Sequence, residues 1–220
     1  MGPYLPDISG AERAFYGDHL ILLEGVIEEF LSCLYMIRRY QVSLGQRDPI
    51  ASFQARIKSA QSMKNKLMRK NLPVTADSAL HEVWDAAGVR LICPFAQNID
   101  QTVGLIRRIP GIRILREKDY IRNPKPNGYR SFHMVLSLPP RFLEEVPEQP
   151  VWLEVQLRTI AMDCWASIEH QLKYKRDIAN QALIVQELKR CADEIASTDL
   201  SLQTIRDLIE MSNEQKGAIL

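Results

Sequence analysis

Val151-Trp-Leu-Glu-Val-Gln-Leu-Arg-Thr159 is the most regular stretch of this 220-residue chain. Val151, Leu153, Val155 and Leu157 alternate with Trp152, Glu154, Gln156 and Arg158, the two-residue period of a strand with one apolar and one polar face. A carboxylate therefore stands mid-strand on a polar sheet face. Upstream, Ser131 to Leu138 alternates in the same way, with Ser131 and His133 opposite Phe132, Met134 and Leu136. If these strands are neighbours, His133 and Glu154 share one face, although a sheet with one side in water shows the same pattern. Further strand-like segments lie near Val89 to Phe95 and Ile112 to Ile121, separated by an amphipathic helix over Asp100 to Ile109.

Helical spacing governs both flanks. From about Glu12 to Leu44 the apolar residues Leu20, Leu23, Ile27, Phe30, Leu31 and Leu34 recur at that spacing, with glutamates early and Arg38 and Arg39 late, as the macrodipole favours. This predicts one long N-terminal helix within about residues 12–47, loosened at Gly25. A second helix is predicted from about Pro49 to Lys70, with Pro49 in its first turn, Pro73 beyond its end, and Phe53, Ile57, Ala60 and Leu67 together on a helical wheel, largely opposite Lys58, Lys66, Arg69 and Lys70. Ile160 to Tyr174 and Ile178 to Glu210 are helical again, the latter a C-terminal helix of about 178–211. Pro139, Pro140, Pro147 and Pro150 mark an exposed connection between two strands. The expectation is one α+β domain over residues 1–220, a mixed central β-sheet flanked by helices, with long N- and C-terminal helices.

The composition, 46% apolar and 25% charged, is that of a folded globular chain. The greasiest stretch, Leu20 to Ile37, is broken by Glu24, Glu28 and Glu29, so no apolar run reaches the roughly 18 residues of a membrane span. Cys33, Cys93, Cys164 and Cys191 form no C-x-x-C pair, which predicts reduced, buried thiols in a cytoplasmic protein. The net charge of +1 hides an asymmetry: residues 1–48 carry 4 basic and 7 acidic side chains, residues 49–176 carry 20 and 12, and residues 177–220 carry 4 and 8. A basic middle between acidic ends implies an anionic ligand handled by the middle.

Within that middle, no carboxylate occurs between Asp48 and Asp77, while Arg56, Lys58, Lys64, Lys66, Arg69 and Lys70 all do. A solvated helix face usually mixes signs, so this run reads as phosphate-binding, with an ordinary solvated surface as the alternative. Asp85 and Glu154, on separate elements, are suited to hold Mg²⁺ between phosphate oxygens, because this hard ion takes a few carboxylates plus phosphate and water. Ala86, Ala87 and Gly88 after Asp85 would let a bulky ligand approach. The loop Asn123 to His133 presents Lys125, Tyr129 and Arg130 around Asn127-Gly128. Tyr129 is placed to stack on a purine or, alternatively, to pack; if it stacks, Tyr129→Phe should be mild. Trp165, Ile168 and Leu172 read as core, with Glu169 and His170 capping the site or solvated. The four histidines have no metal-binding spacing, and no G-x-x-x-x-G-K-[ST] loop occurs, which disfavours a zinc enzyme and a P-loop ATPase.

Taken in order, five segments resemble the RelA/SpoT-type alarmone synthetases, specifically the single-domain small alarmone synthetases. They are Arg56-Ile-Lys58 with Lys66 and Arg69; Asp85-Ala-Ala-Gly-Val-Arg90; Asp119-Tyr-Ile; Lys125-Pro-Asn-Gly-Tyr129-Arg-Ser-Phe-His133; and Glu154-Val-Gln156-Leu-Arg158-Thr running into Ala161-Met-Asp-Cys-Trp165-Ala-Ser-Ile-Glu169-His170. The match covers about residues 50–176. It implies a nucleotidyltransferase-like synthetase domain and a Mg²⁺-dependent GTP pyrophosphokinase, which transfers pyrophosphate from ATP to the 3′-hydroxyl of GDP or GTP, the alarmone synthesis of the stringent response. By the same resemblance Arg56 and Arg90 would sandwich the adenine, and Lys58, Lys66 and Arg69 would hold the ATP phosphates. Asp85 and Glu154 would bind Mg²⁺, with Glu154 also taking the proton of the 3′-hydroxyl. Tyr129 would stack on the guanine, with Lys125, His133 and Gln156 around the acceptor nucleotide. A cytoplasmic homotetramer built through the terminal helices is implied as well. The long bifunctional relatives carry an N-terminal hydrolase domain with a His-Asp metal motif, and no such pair occurs here, so synthesis without hydrolysis is expected. The alternatives are a toxin-like relative that pyrophosphorylates the 3′ end of tRNA, which extra basic flanks would favour and these acidic flanks do not, and a non-catalytic RNA-binding module, which would not require Asp85 and Glu154.

Overall fold

The structure, a computed structural model, describes residues 4–5, 7–141, 150–173 and 180–217. Its centre is a five-stranded mixed sheet of order β1-β2-β5-β4-β3, made of β1 (Ser52–Ile57), β2 (Ala87–Cys93), β3 (Arg113–Asp119), β4 (Phe132–Leu138) and β5 (Val151–Thr159). β2 and β5 run parallel and every other pair antiparallel. The alternation of β5 decides its orientation: Leu153, Val155 and Leu157 enter the main core with Val89 and Leu91 of β2 and Met134 and Leu136 of β4. The polar residues of β5 consequently line the other face of the sheet.

Helix α2 (His19–Ser43) closes the apolar side with Leu23, Val26, Ile27, Phe30 and Leu34, joined by Ile99, Val103 and Ile106 of α5 (Ala96–Ile106). The predicted N-terminal helix is interrupted at Gly17, whose φ of +53° ends α1 (Gly10–Tyr16), whereas Gly25 lies inside an unbroken α2. Gly17 can adopt that conformation at little cost because it has no Cβ.

The helix predicted from Pro49 to Lys70 is a strand followed by a helix. In β1, Phe53, Ala55 and Ile57 are half-buried while Ser52, Gln54 and Arg56 are exposed, a two-residue period that the helical wheel mistook for one apolar stripe. Only α3 (Ala60–Arg69) is helical, capped by the Ser59 hydroxyl and buried through Ala60, Met63 and Leu67. A short helix α4 (Ala76–His81), capped by Thr75, precedes β2 and went unread in the sequence.

After β5 come α6 (Ile160–Lys173) and α7 (Gln181–Gly217). Trp165 and Ala166 of α6 pack on Leu188 and Ala192 of α7, and the Trp165 indole donates to the Leu188 carbonyl at 2.9 Å. Ile168 and Leu172, read as core, are exposed. Of the four thiols only Cys93 is buried; Cys164 is exposed, contrary to expectation. The Pro-rich connection falls mostly on residues 142–149, and Tyr174 on 174–179, outside the described residues.

Candidate active site

The polar sheet face carries the site. β5 supplies Glu154, Gln156 and Arg158; β2 supplies Gly88 and Arg90; β1 supplies Gln54 and Arg56; β4 supplies His133. Register fixes the neighbours: Arg56 faces Gly88, which faces Glu154, and Gln54 faces Arg90, which faces Gln156. A cleft opens there, lined by Gln54, Arg56, Gly88, Arg90, Glu154 and Gln156. A Cβ at Gly88 would lie 3.7 Å from Cγ and Nε of Arg56, so the Arg56 side chain runs across this glycine. Ala86 and Ala87, by contrast, face the core.

Asp85 sits just before β2. Its Oδ2 meets Lys66 Nζ at 2.7 Å and Lys58 Nζ at 3.1 Å, while the buried Oδ1 has no hydrogen-bond partner among the described residues. Burial pushes the Asp85 carboxyl up, but the hydrogen bond from Lys66 and the charges of both lysines outweigh it and hold the group below the usual carboxylate range. Arg69, one turn beyond Lys66 on α3, is exposed.

Glu154 is an acceptor on both sides. Gln156 Nε2 donates to its Oε2 at 2.9 Å, and His133 Nδ1 stands 3.5 Å from Oε1. Burial again raises this carboxyl, while His133 and Gln156 bring it below its ordinary value and the nearby Asp85 charge opposes them. The predicted sharing of one face by His133 and Glu154 is thus present.

The loop before β4 is held by Gly128. Its φ of +88°, together with a Cβ that would come 2.5 Å from Cβ of Ala192, leaves no room for a side chain. The Gly128 N–H donates to the Lys125 carbonyl at 2.8 Å, Asn127 Nδ2 donates to Glu169 at 2.9 Å, and Arg130 pairs with Asp193 of α7 at 3.1 Å. Glu169 therefore holds the turn, while His170 is exposed. Tyr129 emerges half-buried against the Trp165 cluster, with its ring centroid 5.9 Å from that of His133 and 4.5 Å from Lys125 Nζ. Tyr120 completes this group at 5.2 Å from His133.

Three residues were quoted in the sequence segments without a role. Arg158, 5% exposed, donates from Nη1 to Asp163 at 2.9 Å and from Nη2 to the Tyr129 hydroxyl at 2.9 Å. Asp163 also meets Arg90 Nη1 at 3.3 Å. The signal for Arg158 was its place in the β5 alternation on the Glu154 face; Asp163 and Tyr120 had no local signal. The structure therefore joins Arg56, Arg90, Glu154 and Gln156 around one cleft, gathers Lys58 and Lys66 on Asp85, and gathers Lys125 and His133 about Tyr129, with His133 facing Glu154.

The profile of the family described as "Region found in RelA / SpoT proteins" matches residues 55–179. The GTP pyrophosphokinase YwaC of Bacillus subtilis is 42% identical over 148 residues, 66% of this chain and 69% of that protein. Among solved structures, small alarmone synthetase 2 from Bacillus subtilis superposes with a TM-score of 0.76 at 34% identity, covering 87% of this chain and 98% of that one. Small alarmone synthetase 1 from the same organism, bound to its product pppGpp, gives 0.75 at 28% identity over 87% of this chain and 96% of that one.

Proposed function

The chain belongs to the RelA/SpoT family, and from that premise we propose that it is a GTP pyrophosphokinase, transferring the β,γ-pyrophosphate of ATP to the ribose 3′-oxygen of GDP or GTP. The observation that carries this reading is the place of Glu154. It lies mid-strand between a two-arginine cleft and the Tyr129–His133 pair, with a lysine-held carboxylate, Asp85, near by. A relative of the same fold that is bound to its product pppGpp supports a guanine nucleotide as the ligand class.

Arg56 and Arg90 present guanidinium groups on the two strands that border the cleft, suited to an adenine between them. Lys58 and Lys66, with Arg69 one turn on, neutralise the triphosphate, the main requirement of a transfer whose catalysis is positioning and charge stabilisation. Tyr129 offers its ring to the guanine, with Lys125, His133 and Gln156 around the acceptor. The 3′-oxygen attacks the β-phosphorus, the bond from that phosphorus to the α,β-bridging oxygen breaks, AMP departs, and the hydroxyl proton passes to a carboxylate oxygen of Glu154. An ionised Glu154 at neutral pH agrees with its lowered proton affinity.

The donor set also fits Mg²⁺. The unpartnered buried Oδ1 of Asp85 and the carboxylate of Glu154 are hard oxygen ligands, and two carboxylates plus substrate phosphates are what this ion takes. Bound there, it would supply charge neutralisation on the phosphates and acidify the attacking hydroxyl. Incubating the protein with ATP, GDP and MgCl₂ and separating the products by thin-layer chromatography tests the reading. Equimolar AMP and a guanosine carrying 5′- and 3′-pyrophosphates are expected, and no new guanine nucleotide from either GDP or GTP would refute it. Labelled tRNA in a parallel tube tests the other acceptor.

Self-association into a homotetramer is part of the same proposal. Leu200, Leu202, Ile205, Leu208 and Ile209 leave an apolar surface on α7, as Tyr35, Met36 and Tyr40 do on α2. Light scattering reads the oligomer directly. A cytoplasmic location accords with the free thiols, and no helix among the described residues is long and apolar enough to cross a membrane.

A further inference from the structure

Arg158 stands where the two halves of the site meet. Its Nη1 donates to Asp163 Oδ1 at 2.9 Å, and the same oxygen lies 3.3 Å from Nη1 of Arg90 on the donor side. Its Nη2 donates to the Tyr129 hydroxyl at 2.9 Å and to Gln156 Oε1 at 3.2 Å, both on the acceptor side. From there the contacts continue to Glu154 along two routes. Tyr129 Oη lies 2.8 Å from His133 Nε2, and His133 Nδ1 lies 3.5 Å from Glu154; Gln156 Nε2 donates directly to Glu154 at 2.9 Å. Glu154, Gln156, Arg158, Tyr129 and His133 thus form a closed ring, tied to Arg90 through Asp163 alone among these contacts.

Two guanidinium groups share one carboxylate oxygen here, Asp163 Oδ1. Arg90 has a second acceptor, Gln54 Oε1 at 3.2 Å, so its head can turn between Gln54 and Asp163. Arg158 has no such latitude, being almost wholly buried, and its planar fork fixes Nη2 wherever Nη1 is held. Burial and the charge of Arg158 both make Arg90 a weaker base, with Asp163 opposing, as expected of two cations around one anion.

We propose that Arg158 and Asp163 are positioning residues that couple the donor and acceptor subsites, so that a nucleotide held by Arg90 fixes Asp163, aligns Arg158, and sets the Tyr129 ring for the guanine. This rests on the pyrophosphokinase reading. It makes the two substrates bind synergistically, and by linkage the effect is reciprocal: each tightens the other by the same factor.

The test is a titration calorimetry cycle with GDP and α,β-methylene ATP, an analogue whose carbon bridge stands at the bond that must break, in MgCl₂. In the wild type, saturation with the analogue should tighten GDP binding by about fivefold or more, the lower range of measured couplings. Asp163→Asn keeps the shape and removes the shared charge; Arg158→Lys keeps the charge and removes the fork. Both should bring the ratio towards one while each nucleotide alone binds nearly as before, and Asp163→Glu should recover part of it. A wild-type ratio of one overturns the proposal, as does an unchanged ratio in a variant of either residue or a loss confined to melting temperature. Those failures leave single-nucleotide binding and turnover intact, whereas a wild type that binds neither nucleotide and makes no product would refute the pyrophosphokinase reading itself.

Discussion

The Tyr129 hydroxyl lies 2.8 Å from His133 Nε2 while it accepts a hydrogen bond from Arg158 Nη2. The Glu154 carboxylate facing Nδ1 can only accept, so that contact takes the Nδ1 proton, and in the neutral ring Nε2 is left to accept from the Tyr129 hydroxyl. The hydroxyl therefore orients the imidazole that faces the proposed base.

Sequence alone expects Tyr129→Phe to be mild, because the aromatic face survives. The hydroxyl contacts change that expectation. Removing a net hydrogen bond of about 0.5–1.5 kcal/mol should lower kcat by roughly two- to tenfold with the Michaelis constant for GDP little moved. Tyr129→Ala should in addition weaken GDP specifically, since a stacked base is worth about 1–3 kcal/mol. It should also lower the melting temperature, because the ring packs on the Trp165 cluster. Steady-state kinetics with both substrates, beside melting curves, separate these effects; a Phe variant with wild-type kcat would remove the hydroxyl from the account.

Metal removal gives a second expectation. Excess EDTA should abolish synthesis and MgCl₂ restore it, and Asp85→Asn should raise the MgCl₂ concentration needed for half-maximal rate. Synthesis that persists in EDTA would contradict the assignment of Asp85 and Glu154. Added Mn²⁺ should release no pyrophosphate from the purified product, as a chain that only synthesises requires.

Asp199 of α7 is 5% exposed and accepts from the Thr159 hydroxyl at 2.6 Å, at the junction of β5 and α6. Burial raises its proton affinity, with the Thr159 bond offsetting this only in part. A carboxyl raised in the native state binds its proton more tightly there than in the unfolded chain, where its pKa is about 3.9. Its contribution is therefore most favourable below that value and declines as pH rises through the raised one. Asp199→Asn should melt a few degrees above the wild type at pH 7, with the gain shrinking towards pH 4. A gain independent of pH, or a less stable variant at pH 7, would contradict the direction of the shift.

Much of this site was legible because strand alternation is a local signal. The period of β5 alone places Glu154, Gln156 and Arg158 on one face, and the matching alternation of β4 brings His133 to the same face. The basic run misled because Phe53, Ile57, Ala60 and Leu67 satisfy a helical wheel even though the first two lie in a strand; pairing with β2, a partner distant in sequence, decided the conformation of Ser52–Ile57. Asp163 could not be read at all. Its significance comes from sharing an oxygen between Arg90 and Arg158, which three separate elements bring together.

If Glu154 takes the proton of the attacking hydroxyl, Glu154→Gln should remove that step, because the amide keeps the shape but loses the base. Turnover of ATP and GDP by this variant, measured beside calorimetric affinities for GDP and α,β-methylene ATP, should fall by about 10²- to 10⁴-fold with both affinities nearly unchanged. A variant that retains half the wild-type rate or more would show that Glu154 is not the base.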